Sequence, residues 1–374
     1  MEKFVAVAIC ALLAAPASGA SSSPHVGGLL QRAARLSGLH VQHTVPTATL
    51  PAGRYDQLLR RAGNRDYPPA LRSADSVLYA QLGLAQRSEH ATLPLTKTAS
   101  RAWYDPSARK LLLRRTPAAQ RSAVVNELVR ALVDQNFNLR RLTGLYAHDR
   151  DRALAAHGFV DGTAALASGL RARPVSGAQL GRFLSLESAA RLTGGRQLAA
   201  QLRYLGGASA LASALRTFPQ TTEQLLHVDK FLERERALPL QLPKQIGTLR
   251  LTTAETFGEL DLRSLLRTFR VRDSVAVAQG WGGGRLALYT SPSGEIVAAL
   301  ALRWDTLEDA AEWRNAVPAY AAAAFPGATA RDCPPLDRCW TSGWTVATGS
   351  LGDTAVLASG PGSDSVAAAI LTQG

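Results

Sequence analysis

Apolar and polar positions divide the chain into two textures. Apolar side chains at 124, 125, 128, 129, 132 and 133 follow a helical period and are broad enough to bury most of one helix. Thr116-Pro117 opens that helix, with proline in the tolerated first turn, and it runs to about Phe137. Helical spacing also covers residues 55–62, 71–86 and about 148–170, and one short helix fits residues 29–36. Several shorter helices fill the stretch to Phe218. Between 100 and 115, two extended runs flank Asp105-Pro106-Ser107, turn chemistry that predicts a small hairpin. After Pro243 the texture changes. A helix over 255–269 precedes alternating runs at 285–290 and 296–303, separated by Ser-Pro-Ser-Gly. Thr306 and Asp309 have the spacing of an N-cap and its partner for a helix to about Ala324. Residues 340–348 and 354–358 predict a second hairpin, and 366–371 a last helical turn or two. The expected class is α+β, a mostly helical domain with a small hairpin followed by a ββαββα domain. The expected boundaries are a signal peptide at 1–20, an N-terminal extension at 21–70, the helical domain at 71–243 and the α+β domain at 244–374.

Composition supports two domains with real cores. Of 374 residues, 46% are hydrophobic and 19% charged, which excludes a disordered chain, and no repeat of 20 to 50 residues recurs. There are 42 basic and 29 acidic residues, for a formal charge of +13, and 37 of the basic residues are arginine. The arginines are scattered, without a basic helix or aromatic interleaving, so no nucleic-acid partner is expected. Weak attraction to an anionic envelope stays open.

The N-terminus carries Lys3, an apolar run from 5 to 15, then Pro16 and the small residues Ala17, Ser18, Gly19 and Ala20. This is the pattern of a secretory signal peptide, with cleavage expected near Ala17 or Ala20, and the run is too short to span a bilayer. Ile9 before Cys10 argues against lipidation. No other stretch approaches 18 uninterrupted apolar residues, so no transmembrane segment is expected in the mature chain. The expected location is secreted or at the cell envelope. Two cysteines then remain, Cys333 and Cys339, an even pair at short spacing that predicts a disulfide in an exported chain.

The segment Val124-Val125-Asn126-Glu127-Leu128-Val129-Arg130-Ala131-Leu132-Val133-Asp134-Gln135-Asn136-Phe137 resembles the active-site helix of an uncharacterised family of exported zincin-like proteins from actinobacteria and related prokaryotes. There the helix reads His-Glu-x-x-His-Ala-Leu-x-Asp-Gln-x-Phe, and a later helix supplies Glu-Gly-Asp-Ala, here Asp161-Gly162-Thr163-Ala164. Further similar segments are Pro219 to His227, with Thr222-Glu223-Gln224, then 280–284 and Trp304-Asp305-Thr306. The resemblance runs from about residue 70 to the C-terminus. It implies a zincin-like helical domain and a metallopeptidase ancestry.

The departures fall on the metal ligands. Two His at i and i+4 bind zinc in such a helix, and the Glu between them activates the bound water. Asn126 and Arg130 stand at those two positions, and Asp161 replaces the third ligand with a shorter carboxylate. An amide is a poor zinc ligand and a guanidinium has no lone pair to give. Glu127 is then a vestigial base, and no metal, no cofactor and no catalytic residue are expected. The expected arrangement is Arg130 pairing with Asp161 or Glu127 where the metal would sit, with Asn126 beside them.

The resulting expectation is an exported, catalytically inactive metallopeptidase homologue, a pseudoenzyme with a binding or structural role at the envelope. Its partner would be an unidentified protein or cell-envelope polymer. The alternative is an active metal-dependent hydrolase using Glu127, His157 and Asp161. A third reading places the function in the ββαββα domain. The remaining histidines, 25, 40, 43, 90 and 148, fit surface or loop positions, and His227 fits a loop-ordering role. Residues 280–284 precede a strand, so a tight turn fits them better than a phosphate loop. Ser350 and Ser359 lie in a hairpin context, and no Ser/His/Asp set assembles.

Overall fold

A computed structural model describes residues 24–85, 101–115, 121–171, 177–341 and 345–373. The expected signal peptide, His90 and the Thr116-Pro117 helix start lie outside the described residues. The chain is α+β, with a helical N-terminal region and a sheet-rich C-terminal one. The first region comprises α1 (Pro24–Ser37), β1 (Thr47–Leu50), α2 (Ala52–Asp66), α3 (Pro69–Gln81), β2 (Ala102–Asp105), β3 (Lys110–Arg114), α4 (Arg121–Phe137), α5 (Arg150–Ser168), α6 (Gln179–Thr217), α7 (Thr222–Leu226) and α8 (Val228–Glu233). The second comprises β4 (Gln245–Ile246), β5 (Leu249–Thr256), α9 (Glu259–Thr268), α10 (Ser274–Gln279), β6 (Trp281–Thr290), β7 (Ile296–Trp304), α11 (Leu307–Ala324), β8 (Thr329–Arg331), β9 (Arg338–Thr341), β10 (Thr345–Leu351), β11 (Thr354–Ser359) and α12 (Ser363–Gln373).

The periodic helix is the centre of the first region. Val124, Val125, Leu128, Val129, Leu132 and Val133 of α4 are all buried, in a core shared with α1, α5 and α6. The hairpin β2–β3 forms as its turn chemistry predicts, and β1 adds to β3 in parallel, giving the order β1-β3-β2. Residues 24–70 are therefore part of the fold rather than an extension, and the helix expected over 29–36 is the longer α1, Pro24–Ser37. Val26, Leu29, Leu30 and Ala33 of α1 pack into the same core, burying an amphipathic face that the Gly and Ser punctuation disguises.

The stretch to Phe218 is two helices rather than several short ones, labelled together as α6 and separated by the non-helical Gly206-Gly207, where Gly207 has φ +63°. Gly194 and Gly195 of α6 serve packing. A Cβ on Gly162 of α5 would lie 2.1 Å from Gly195 of α6, and one on Gly195 would lie 2.0 Å from the Gly158 carbonyl. The two backbones cross in contact, which brings α6 side chains over α5.

In the second region an eight-stranded antiparallel sheet has the order β4-β5-β6-β7-β11-β10-β9-β8. The predicted ββαββα frame is its middle, β6-β7-α11 then β10-β11-α12. The pleat sorts the residues: Leu286, Leu288, Leu300 and Leu302 face α9 and α11, while Ala287, Tyr289, Val297 and Ala299 face α12. Two details depart from the expectation. Residues 255 and 256 end strand β5, and α9 starts at Glu259, with Asp261 at its third position accepting from the Gly258 amide. Residues 282–284 are no turn but the bulged start of β6, without side chains because a Cβ on Gly283 would meet the Leu238 carbonyl at 2.4 Å. Thr306 caps α11 by accepting from the Asp309 amide at 3.2 Å, as its spacing predicts.

The boundary at 243 is bridged. Leu78, Tyr79, Leu82 and Leu84 from and after α3, with Phe183 of α6, lie in the core of the sheet's α11 face. Tyr320 Oη donates to the Leu82 carbonyl at 2.8 Å and Ser359 Oγ to the Gln81 carbonyl at 2.6 Å. Cys333 and Cys339 are joined by a disulfide that ties the β8–β9 connection to β9.

Candidate functional site

Asn126, Glu127 and Arg130 sit on the partly buried side of α4, facing α5 and the hairpin. The Arg130 Nη1 donates to Asp161 Oδ1 across the α4–α5 interface, and its Nε lies 3.6 Å from Glu127 Oε2 one turn back. The second Asp161 oxygen is 3.2 Å from Arg191 Nη2 of α6, which reaches it because the glycine crossing draws the helices together. All four charged side chains are mostly shielded, between 11% and 17% exposed. Two guanidiniums and two carboxylates sum to zero. The arrangement is an ion-pair network in which each guanidinium meets a carboxylate through one nitrogen, and Arg130 Nε faces Glu127 as an ion pair beyond hydrogen-bond distance.

Glu127 is engaged twice. Besides Arg130 it accepts from the Tyr104 amide at 2.9 Å. In the order β1-β3-β2, strand β2 is an edge, and this carboxylate satisfies one of its outward N–H groups. Asn126 lies beside the network but turns to the end of α5, donating to Ser168 Oγ at 3.2 Å.

A zinc ion does not fit this donor set. Position 126 offers an amide already bonded to a hydroxyl, position 130 brings a permanent cation, and Asp161 is held by two arginines. The alternative set of Glu127, His157 and Asp161 is not gathered. Among the described residues, only Glu223, Glu235 and Asp305 bring three candidate ligand atoms within 4.8 Å of one another. The His157 ring instead stacks on Tyr146, with centroids 5.6 Å apart and planes 8° from parallel. The cavity that Arg130, His157, Trp103 and Val160 line is about 30 Å³, room for about two waters and far below a substrate.

The downstream motif residues are scaffolding. Asp134 accepts from Tyr104 Oη at 2.7 Å and from the Leu139 amide at 2.7 Å, fixing the hairpin and the turn after α4. Gln135 accepts from the Gln42 amide at 3.0 Å and donates to the His43 carbonyl at 2.8 Å, while Asn136 donates to the His40 carbonyl at 2.9 Å. The end of α4 thus binds the segment leading into β1. His25, His40, His43 and His148 are at exposed positions, as expected.

Sequence reasoning missed a second set of buried charges at the seam between the regions. Arg150, at the start of α5, is 4% exposed and pairs with Glu187 and, at 3.3 Å, with Asp261, its guanidinium 5.7 Å from the Tyr79 ring centroid. Burial drives the carboxyls of Asp75, Glu187 and Glu255 around it upward, with Arg150 opposing. Asp151 accepts from both the amide and the hydroxyl of Thr222, and burial pushes its carboxyl up to about 8. His227 does order a junction: its Nε2 lies 3.0 Å from both oxygens of the fully buried Glu259, which raises the imidazole's proton affinity. The Lys230 ammonium fills the one acidic triad, 3.1 Å from Glu223, 2.5 Å from Glu235 and 2.7 Å from Asp305. That triad is therefore satisfied by the chain's own cation. The only signal available was the Thr222-Glu223-Gln224 segment, whose partners lie up to 71 residues away.

A family model described as a domain of unknown function (DUF8575) matches residues 247–369. The match covers the sheet from β5 into α12 and does not include α4, α5 or α6. No curated protein and no solved structure matches the chain. Among the described residues, no helix is long and apolar enough to cross a membrane.

Proposed function

We propose that this chain is an exported, catalytically inactive relative of zincin-type metallopeptidases, with a binding or structural role at the cell envelope. The observation that carries the reading is the Arg130 guanidinium, paired to Asp161 and beside Glu127, at the point where the motif's second histidine would place a metal. Glu127 keeps its place on α4, with its Oε2 accepting from the Tyr104 amide and lying 3.6 Å from Arg130 Nε, so a fixed cation stands beside the would-be base. The export half of the reading is supported by the N-terminal apolar run with its small-residue end and by the joined cysteines. The partner class is a protein or polymer of the envelope.

Metal analysis of the mature protein, purified without added metal, tests the inactive reading. The expected content is well below stoichiometric zinc. One tightly held equivalent, or hydrolysis of a peptide substrate that a chelator abolishes, would overturn it.

A further inference from the structure

The fold brings several of the arginines that look scattered along the chain to the side where α1 meets α6, and beyond Glu187 α6 carries no acidic counterpart to them. Residues 188–222 contain Arg191, Arg196, Arg203 and Arg216 and not one carboxylate, and residues 24–55 contain Arg32, Arg35 and Arg54 and none either. The two segments touch: Arg203 Nη1 donates to the Leu36 carbonyl at 2.8 Å, and a Cβ on Gly38 would lie 3.1 Å from Ala208. Arg141 joins them, donating to the Leu215 and Arg216 carbonyls at 2.7 Å with its guanidinium 4.3 Å over the Phe218 ring.

This basic face carries unburied apolar side chains. At the Gly206-Gly207 break Tyr204 is 91% exposed and Leu205 58%, with Leu36 at 37% on the adjoining end of α1. Leu232, 55% exposed, stands at a groove of about 480 Å³ between α6 and α8, floored by Leu202, Ala214, Phe218 and Phe231. Arg234 and Arg236 line the same groove, and no carboxylate does. The helix α8 itself carries both signs, Asp229 and Glu233 against Lys230, so the positive character comes from α6, α1 and the two groove arginines. The helix break turns a tyrosine and a leucine outward where a continuous amphipathic helix would fold them in.

We infer that this face docks on an anionic lipid bilayer, with Tyr204, Leu205 and Leu232 entering the interfacial layer and the arginines on the headgroups. Tyrosine and leucine at the tip with arginines behind them are the composition that interfacial anchors use, and arginine stems reach outward from partly apolar ground. The long apolar groove with a basic mouth accommodates one acyl chain of a lipid whose headgroup meets Arg234 and Arg236. A soluble polyanion would need the arginines but not the apolar tip. Arg191 is held by Asp161 and is not one of the lipid-facing arginines; none of the other residues belongs to the Arg130–Asp161 network, so the inference stands apart from the reading of that site.

Flotation of the purified protein with vesicles tests it, using phosphatidylglycerol mixed into phosphatidylcholine against phosphatidylcholine alone at about 0.1 M salt. The expected result is binding to the anionic vesicles only. Tyr204→Ser with Leu205→Ser should weaken it by about tenfold or more, and Arg234→Gly with Arg236→Gln by about 10- to 30-fold. Leu307→Ser with Leu351→Ser, apolar and exposed elsewhere, should leave binding unchanged. Circular dichroism and the thermal midpoint check that each variant is folded. No binding to anionic vesicles would overturn the inference, and so would undiminished binding by the folded Tyr204/Leu205 variant, which marks a purely electrostatic polyanion surface.

Discussion

Removing the Arg130 side chain should leave two shielded carboxylates without their shared cation. Asp161 is 17% and Glu127 14% exposed, so neither can simply rehydrate in the native geometry. Breaking a buried ion pair from one side costs about 3–5 kcal/mol when the stranded charge has nothing else. Here Asp161 keeps Arg191 at 3.2 Å and Glu127 keeps the Tyr104 amide at 2.9 Å, which offsets part of that loss. The charge contribution then comes to about 2 kcal/mol, and loss of the packed aliphatic stem adds about 1 kcal/mol. Arg130→Ala should therefore destabilise the protein by about 3 kcal/mol in urea unfolding, provided the transition remains cooperative. The double variant Arg130→Met with Asp161→Leu separates charge from packing. It exchanges the pair for apolar groups of similar bulk and should recover more than half of the loss, although it also frees Arg191. A cost for Arg130→Ala below about 0.5 kcal/mol would show that the network is solvent-screened like a surface pair. Strict additivity of Arg130→Ala and Asp161→Ala would refute the reasoning equally, since contacting partners must couple.

Two further outcomes follow from the seam between the regions. The carboxyls of Asp151 and Glu223 are raised by burial to about 8 and about 7, so the folded state holds protons that the unfolded chain releases near pH 4. Their stabilising contribution is complete below the ordinary carboxylate range and is lost as pH rises through about 7 to 8, and His227, also raised, acts in the same direction. The thermal midpoint should fall between about pH 5 and pH 8, and Asp151→Asn should cost little at neutral pH while flattening that slope. A midpoint that climbs over this range, or an unchanged slope in the variant, would contradict the assignment. A fragment of residues 244–373 should behave as a loosely packed sheet that binds a hydrophobic dye, because Leu78, Tyr79, Leu82, Leu84 and Phe183 no longer cover its α11 face. Sharp cooperative unfolding of that fragment would show that the sheet carries a sufficient core alone.

What the sequence revealed depended on how local the cause was. The α4 helix was legible because its apolar period lies within ten residues, and the hairpin because Asp-Pro-Ser is turn chemistry in itself. The pairing of Arg130 with Asp161 was legible from charge alone, once the two positions were assigned to facing helices. Arg191 was not, because its reach depends on the Gly158/Gly162 and Gly194/Gly195 crossing, and glycine in a sequence reads first as a break. The same misreading turned 282–284 into a turn and placed extra breaks in α6, where only the one at Gly206-Gly207 is real. Strand β1 is four residues long and its partner lies some 60 residues away in parallel, a pairing that no local pattern reports. The Arg150 cluster draws on residues 75, 187, 255 and 261, four segments that only the tertiary fold brings together.

Three places among the described residues where carboxylates converge share one solution. Arg130 and Arg191 close the site on α4 and α5, Arg150 closes the seam, and Lys230 closes the triad of Glu223, Glu235 and Asp305. In each, a fixed protein cation stands where an enzyme built around a metal would keep an open coordination position. Such internal pairs contribute little net stability relative to an apolar core, but they make wrong packings costly, because every misplaced helix would strand a charge. Apart from the Arg130–Glu127 contact within α4, these cations also reach acids on other elements: α4 and α6 serve α5, α5 serves α6 and α9, and α8 serves the loop after β7. Each pair therefore fixes one element against another. On the proposed reading, loss of the ligands at 126 and 130 left a cleft of like charges, and Arg130 turned it into one more of these joints. Of the motif letters that persist, Glu127, Ala131, Leu132, Asp134, Gln135 and Phe137, Asp134 and Gln135 tie α4 to the hairpin and to the chain before β1, as a helix retained for architecture requires.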